Sequence, residues 1–154
     1  LVRSKQEKRR IKASDFFKGI MDTAIEPNEL LVEIIVPKVP PGTGFAFVEI
    51  SRRHGDYALA GIAAQMTLSG KTVTNLRLAA CGVGPCPIRL NDAEKQIFDD
   101  GLTEKSIQLA ARAAALEIDP ETDLHATADY RRRLTAVLTQ QALLKAKERA
   151  QENS

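Results

Sequence analysis

The sequence predicts an α+β domain, in which an antiparallel β-sheet is covered on one face by about three C-terminal helices. Strand-like segments follow one another between residues 45 and 83, and a tight turn joins the last two. From residue 88 onward, apolar residues recur at helical spacing instead. Because the strands come first and the helices follow, the helices are expected to pack together on one side of the sheet.

The composition is that of a soluble globular protein, with 44% hydrophobic and 27% charged residues among 154. A net charge of +2 supplies no general attraction to nucleic acid or anionic lipid, and only 5% of the residues are aromatic, which argues against base stacking. No apolar run approaches the roughly 20 residues of a membrane helix, and the first ten residues lack the apolar stretch of a signal peptide. We therefore expect a cytoplasmic protein without a transmembrane segment.

The first forty residues are predicted to form a hairpin, a short helical turn and a strand. Leu1–Arg3 and Arg10–Ala13 are the expected hairpin strands, and Ser14 or Asp15 can cap the helical turn. The β-rich run Leu30–Val36 reads as the strand, since a proline follows it.

A domain junction is predicted at Pro40-Pro41-Gly42, because three such residues in a row continue neither a strand nor a helix. It divides the chain into residues 1–40 and residues 41–154.

Beyond the junction, residues 45–51 alternate as a strand with two different faces. One face carries Phe45, Phe47 and Glu49, and the other carries Ala46, Val48 and Ile50. Residues 57–68 and 72–83 form a longer ribbon around a turn at Gly70, and a ribbon of this length needs a covering layer.

Three helices are predicted to supply that layer. The first lies within Ile88–Asp99 and closes at Gly101, while Thr103 and Thr127 can cap the second and the last. The expected packing positions are Ile107, Ala110, Ala111, Ala114 and Leu116 in the second helix, and Tyr130, Leu134, Val137, Leu138, Gln141 and Leu144 in the last. Arg131–Arg133 are expected on a solvated or partner-facing surface.

The residues that commonly carry chemistry do not form a complete site. Cys81 and Cys86 are too few for a four-ligand zinc site and are not spaced as CxxC, so we interpret them as reduced structural thiols. Ser51, His54 and Asp56 lie in one short loop, whereas the members of a catalytic triad come from separate elements. We predict no catalytic residue and no metal site.

Five motifs in order carry a resemblance that covers nearly the whole chain. They are ASDFFKG at 13–19, EPNELLVEIIVP at 26–37, GTGFAFVEISRRHGDYALAGIAA at 42–64, GVGPCPIRLNDAE at 82–94 and DLHATADYRRRL at 123–134. In these motifs the chain resembles the C-terminal half of the FAD-binding medium subunit of molybdenum hydroxylases, the carbon monoxide dehydrogenase and xanthine dehydrogenase family.

The resemblance implies an oxidoreductase subunit that positions FAD while electrons pass from [2Fe-2S] clusters to an acceptor. The molybdenum cofactor and the [2Fe-2S] clusters would be held by a large and a small partner subunit. Residues 1–40 would be the tail of an FAD-binding domain, and residues 41–154 a separate C-terminal domain. The chain starts at Leu1 without methionine and without the family's Gly-rich loops, so we expect a piece of a longer protein that is inactive and binds FAD poorly by itself.

Three residues are carried over as cofactor-binding positions by the same resemblance. Leu31 matches an apolar residue that packs near the flavin, and Phe47 and Val48 lie in the segment that approaches the isoalloxazine ring. The loop that follows, SRRHGD, is expected near the flavin edge, with Arg53 and Asp56 bracing a turn that Gly55 permits.

Two other functions stay open from the residues. One is a non-catalytic protein-interaction domain, which fits a valine at position 48, where the family often carries lysine or tyrosine. The other, ranked last, is a nucleic-acid binder that uses the basic segments Lys5–Lys12 and Arg131–Arg133.

Overall fold

The computed structural model describes residues 1–153, which divide into two compact units, Leu1–Val39 and the chain from Pro40 onward. The first unit is small and consists of short elements. They are β1 (Val2–Arg3), β2 (Lys8–Arg9), α1 (Ala13–Phe16), β3 (Phe17–Gly19), β4 (Asp22–Thr23) and β5 (Leu30–Leu31). Strands β2, β1 and β5 form one antiparallel sheet in that order, and β3 pairs with β4.

Three boundaries in this unit differ from the predicted ones. The hairpin returns through Lys8–Arg9 rather than Arg10–Ala13, and α1 begins after Lys12, without a side-chain cap from Ser14 or Asp15. The strand expected over Leu30–Val36 is only Leu30–Leu31. Its pairing partner β1 has two residues, and a strand extends only as far as a neighbour can satisfy its backbone groups.

A partly buried ion pair ties this unit together. Arg9 donates from Nε and Nη2 to the two carboxylate oxygens of Glu29, at 2.6 Å each, and Nη2 also donates to the carbonyl oxygen of Ala24 at 2.7 Å. These hydrogen bonds from Arg9, together with one from the amide of Glu26, lower the pKa of Glu29. The hairpin is thereby fastened to the segment that leads into β5.

The second unit contains one sheet and three helices. Its elements are β6 (Thr43–Ser51), β7 (Ala58–Ser69), β8 (Thr72–Cys81), β9 (Ile88–Arg89), α2 (Asn91–Asp100), α3 (Glu104–Glu117) and α4 (Ala128–Glu152). The strands lie in the order β6-β7-β8-β9 and every neighbouring pair is antiparallel. Gly70 takes a left-handed φ of 60° at the β7–β8 turn, as predicted.

The helices cover one face of this sheet. Helix α4 packs across β6 and β7, α2 packs against β8, and α3 packs against both of these helices. Residues of all three helices and of the strands β6–β8 share one continuous core. The predicted α+β class with helices on one face of an antiparallel sheet is therefore confirmed.

The helix starts follow from local capping. Thr103 accepts from the amide of Ser106 while Ser106 accepts from the amide of Thr103, so both backbone donors are satisfied. Thr127 accepts from the amide of Tyr130 at 3.2 Å. Both caps confirm the predictions, but α2 begins only at Asn91, because Ile88–Arg89 pairs with β8 as an edge strand.

Several predicted packing positions are wrong. Leu116 in α3 and Tyr130, Val137, Gln141 and Leu144 in α4 are exposed. Small residues occupy the buried side of α4 instead, namely Thr135, Thr139, Ala142, Ala146 and Ala150, alongside Leu134, Leu138 and Leu143. Alanine and threonine side chains are small enough for the α4 backbone to lie close to the sheet. A search for large apolar residues at helical spacing therefore misses much of the buried side of α4.

Helix α4 approaches the sheet closely at Gly44 in β6. A Cβ atom there would overlap the carbonyl oxygen of Ala146 and the amide nitrogen of Ala150, which are backbone atoms that cannot rotate away. Gly44 is therefore required by the helix–sheet contact and not by its own backbone conformation.

We expect Gly44→Ala to lower the free energy of unfolding by about 3 kcal/mol or more, because helix and sheet must separate to admit the methyl group. Urea unfolding followed by circular dichroism measures the loss. Gly84→Ala is the matched control, since the atom nearest to its new Cβ, at 3.0 Å, is the terminal methyl of Ile88, which can move. Equal stabilities of the two variants would contradict the contact.

Arg131 anchors the other end of α4, contrary to the predicted surface position. Its side chain is buried; Nη1 donates to the carbonyl oxygens of Leu59 and Gly82 at 2.6 and 2.9 Å, and Nη2 to Oδ2 of Asp123 at 2.7 Å. One guanidinium thus joins α4, β7, the loop after β8 and the loop before α4. Arg133 is exposed and Arg132 is partly exposed, so only Arg131 departs from the prediction.

Arg131→Ala is expected to cost about 2–3 kcal/mol of stability, because it leaves the buried carbonyl of Leu59 without its donor and removes the hydrogen bond to the carbonyl of Gly82. The neighbouring Arg132→Ala is the control. Arg132 pairs with the fully exposed Asp119 at 3.1 Å, and an exposed pair is worth at most about 1 kcal/mol. Chemical unfolding of both variants checks the difference, and similar losses would refute the anchoring role.

The Asp123 carboxylate makes the free energy of unfolding depend on pH in the acidic range. Hydrogen bonds from the amides of Ala126 and His125, and then from Arg131, lower its pKa from 3.8 to about 2. A depressed carboxyl pKa stabilises the fold above the unfolded pKa, and this contribution is lost as the pH falls from 3.8 towards 2. We expect the free energy of unfolding of the Asp123→Asn variant to change less with pH between 3.8 and about 2 than that of the unchanged protein. Parallel curves for the variant and the unchanged protein would contradict the assignment.

Candidate functional site

The face of the sheet opposite the helices is uncovered by any element of the second unit, and it is the candidate site. We call it the open sheet face. Pairing in register sets its side chains in three rows across the strands. The rows are Phe45, Gln65 and Arg77; then Phe47, Ala63, Ala79 and Arg89; then Glu49, Gly61 and Cys81.

The middle of this face is flat and apolar. Ala63 and Ala79 lie beside the Phe47 ring in one row, and Gly61 in the next row has no side chain. A Cβ on Gly61 would lie 2.8 Å from Sγ of Cys81 and 3.4 Å from Cζ of Phe47, so these two side chains close over the glycine. The first two rows line a concavity of about 630 Å³. A planar ring fits such a floor.

Guanidinium groups border the concavity on both sides. Arg77 is exposed, and Arg89 reaches Glu94 with Nε and, at 2.7 Å, with Nη2. Across the sheet, Nη1 of Arg149 from α4 donates to the carbonyl oxygen of Phe45 at 2.7 Å. The border is therefore cationic around an apolar centre.

Cys81 is half-buried at the end of the third row. Burial raises the pKa of its thiol, and the neighbouring Glu49 carboxylate raises it further. The thiol accordingly stays protonated at neutral pH, which is the inert state expected of a structural cysteine. Cys81 and Cys86 are both free thiols.

The three residues carried over as cofactor positions occupy different settings. Phe47 is 58% exposed on the open sheet face. Val48 points the other way and is 7% exposed, within the core under the helices. Leu31 belongs to the first unit, is 45% exposed, and lines a smaller apolar concavity with Val2, Phe16 and other residues.

The loop after β6 is fastened by Asp56. Its Oδ2 lies 3.3 Å from Nη2 of Arg52 and 3.7 Å from Nε of Arg53, and its Oδ1 accepts from the amide of Tyr57 at 3.0 Å. Gly55 takes a φ of 81° at the bend. The predicted brace between Arg53 and Asp56 is present, with Arg52 as a second partner that the sequence did not indicate.

Sequence reasoning also missed Gly61, Ala63, Arg77 and Ala79 as parts of the site. The alternation within each strand assigns them to one face, but only the cross-strand register brings them together around Phe47. Over residues 1–153, no group of three or more histidine, cysteine or acidic side chains is arranged to hold a metal ion. Within the same residues no helix is both long enough and apolar enough to span a membrane.

Comparison with known proteins identifies the family. Residues 45–146 match the family described as CO dehydrogenase flavoprotein C-terminal domain. The carbon monoxide dehydrogenase medium chain of Hydrogenophaga pseudoflava is 36% identical over 88% of this chain and 47% of its own length. The 6-hydroxypseudooxynicotine dehydrogenase complex subunit alpha of Paenarthrobacter nicotinovorans is 38% identical over 97% of this chain and 51% of its own length.

Solved structures agree with the sequence comparison. A carbon monoxide dehydrogenase chain from Hydrogenophaga pseudoflava superimposes with a TM-score of 0.92 at 36% identity, covering 96% of this chain and 52% of that one. A quinoline 2-oxidoreductase chain from Pseudomonas putida gives 0.87 at 31% identity, covering 97% and 52%. The chain thus spans about half the length of the relatives that it matches. It belongs to the CO dehydrogenase flavoprotein C-terminal domain family and corresponds to the C-terminal part of the FAD-binding medium subunit of molybdenum hydroxylases.

Proposed function

We propose that the full-length protein is the flavoprotein subunit of a molybdenum hydroxylase and that this part of it positions FAD for electron transfer. When bound, FAD accepts electrons from [2Fe-2S] clusters and delivers them to an acceptor. The family match over residues 45–146 and the relatives named as dehydrogenase subunits support this role.

The observation that carries the proposal is the exposed Phe47 ring beside a floor of small residues. A ring lying on Ala63 and Ala79 meets an apolar surface of small side chains, and Phe47 in the same row offers an aromatic contact at its edge. Val48 is proposed to contribute indirectly, because its buried side chain anchors β6 in the core and so holds the adjacent Phe47 in place. We propose that the residues of the open sheet face contact the flavin ring and do not bind the diphosphate of FAD.

Leu31 is proposed as a second flavin contact, made from the first unit. Its half-exposed side chain borders an apolar concavity, where an aromatic edge can displace water. We further propose that residues 1–40 are the tail of an FAD-binding domain and that residues 41–154 form the separate C-terminal domain.

The proposed partners are a large subunit that holds the molybdenum cofactor and a small subunit that holds the [2Fe-2S] clusters. The proposed compartment is the cytoplasm, which keeps thiols such as Cys81 and Cys86 reduced. These assignments concern the full-length protein in its complex.

Phe47→Ala in the full-length subunit is expected to weaken FAD binding about two- to tenfold, because an aromatic contact is worth about 0.5–1.5 kcal/mol. Titration of the FAD-depleted subunit, followed by flavin fluorescence, measures the affinity. Phe98→Ala is the matched control, since Phe98 is a comparably exposed phenylalanine on α2.

Two results would contradict the proposal. Full-length protein that binds no FAD would remove the cofactor role and favour a protein-interaction domain. Phe47→Ala and Phe98→Ala variants with identical affinity and flavin spectra would remove the open sheet face from the flavin site.

A further inference from the structure

Two polar side chains lie beside the apolar floor of the open sheet face, at one end of it only. Gln65 follows Ala63 by two residues along β7, and Arg77 precedes Ala79 by two residues along β8. The register pairs Gln65 with Arg77 and Ala63 with Ala79, so the polar pair stands about 7 Å from the alanine pair. All four residues line the same concavity. The floor therefore has a polar end at Gln65 and Arg77.

Both polar side chains are available to a ligand. Arg77 is exposed and Gln65 is half-buried, and in the described part of the chain no hydrogen bond or ion pair engages either side chain. Arg89 differs, because the carboxylate of Glu94 neutralises it, with Oε2 of Glu94 2.7 Å from Nη2. Arg77 thus brings an uncompensated positive charge to the floor.

The Glu49 carboxylate lies at the opposite end of the open sheet face. Burial, and then this carboxylate, raise the pKa of the Cys81 thiol, so Glu49 stands at the Cys81 end. Two rows along the strands and two strands across the sheet separate Glu49 from Arg77, which is about 17 Å between their Cβ atoms. That separation exceeds the Debye length of about 8 Å at physiological ionic strength, so Glu49 does not cancel the charge of Arg77.

The flavin ring has the same division into a polar and an apolar end. Its pyrimidine end carries an imide N–H between two carbonyl groups, whereas its benzenoid end carries only methyl groups. When the ring takes up two electrons and one proton, it keeps a negative charge on the pyrimidine end. The amide of Gln65 can accept from the imide N–H and donate to a carbonyl, and the guanidinium of Arg77 can pair with the negative charge.

We propose that Gln65 and Arg77 bind the pyrimidine end of the flavin ring, and that Arg77 favours reduced, anionic FAD over oxidised FAD. The two residues set the direction in which the ring lies on the floor, and Arg77 raises the midpoint potential of bound FAD. The two electrons come from the [2Fe-2S] clusters of the proposed complex and the proton comes from solvent. The proposal rests on the proposed function, because it assigns roles within the same flavin site.

The test measures the midpoint potential of FAD in the full-length subunit at saturating FAD, by titration with dithionite beside a reference dye. Arg77→Gln is expected to weaken the binding of reduced FAD about tenfold more than that of oxidised FAD, because it removes the charge beside the anion. For a two-electron couple, this lowers the potential by about 30 mV. Arg77→Lys keeps the charge and should keep most of the potential.

Arg112→Gln is the matched control for charge. It removes an exposed arginine from α3, which lies on the other side of the sheet, and it should leave the potential unchanged. Circular dichroism confirms that each variant is folded.

Gln65 is tested with FAD that is methylated at the imide nitrogen. The unchanged subunit should bind FAD more tightly than this analogue, and Gln65→Leu should reduce that preference about two- to tenfold, the value of one hydrogen bond. The midpoint potential should change little in this variant, since no charge is lost.

Three results would overturn the inference while the flavin site stands. The first is an unchanged potential in Arg77→Gln, although Phe47→Ala still weakens FAD binding. The second is an equal shift in Arg77→Gln and Arg77→Lys, which would assign the effect to side-chain shape and not to charge. The third is a preference for FAD over the methylated analogue that Gln65→Leu leaves intact. A full-length subunit that binds no FAD would instead overturn the proposed function, and this inference with it.

Discussion

The structure of the second unit depends on how closely α4 lies on the sheet. Gly44, Ala146 and Ala150 bring helix and strand backbones into contact, and polar anchors hold the helix at both ends. Arg131 ties its first turn to the carbonyls of Leu59 and Gly82, while groups of its last turns bond to the edge of β6. Small residues allow close approach, and the directional hydrogen bonds then fix the angle and register of the helix on the sheet.

This arrangement makes the two sheet faces unequal. The helices α2 and α4 cover one face, and α3 packs over both, so the apolar alternate residues of β6, β7 and β8 are buried there. The opposite face keeps Phe45, Phe47 and the arginines Arg77 and Arg89 exposed. An aromatic and cationic surface is thus held by a rigid scaffold, which is the setting in which a ring can be positioned accurately.

Much of the fold could be read from local patterns. The two faces of β6, the turn at Gly70 and the caps at Thr103 and Thr127 all appear where predicted, because each depends on a few neighbouring residues. The candidate site could be read only in part. The alternation of β6 places Phe47 on the open sheet face, but its neighbours there come from β7 and β8. The pairing of these two strands shifts by one residue at a bulge between Thr67 and Leu68, so counting back from the turn at Gly70 gives the wrong partners.

The amino-acid sequence by itself determined the order of strands and helices, the alternation of their faces and the family, since periodicity and short motifs are properties of adjacent residues. Tertiary structure alone decided that Arg131 is buried, that the strand at Leu30 stops after two residues and that alanines and threonines form the packed side of α4. Each of these depends on groups distant in the chain, because a charge is buried only where acceptors meet it and a strand extends only where another strand pairs with it.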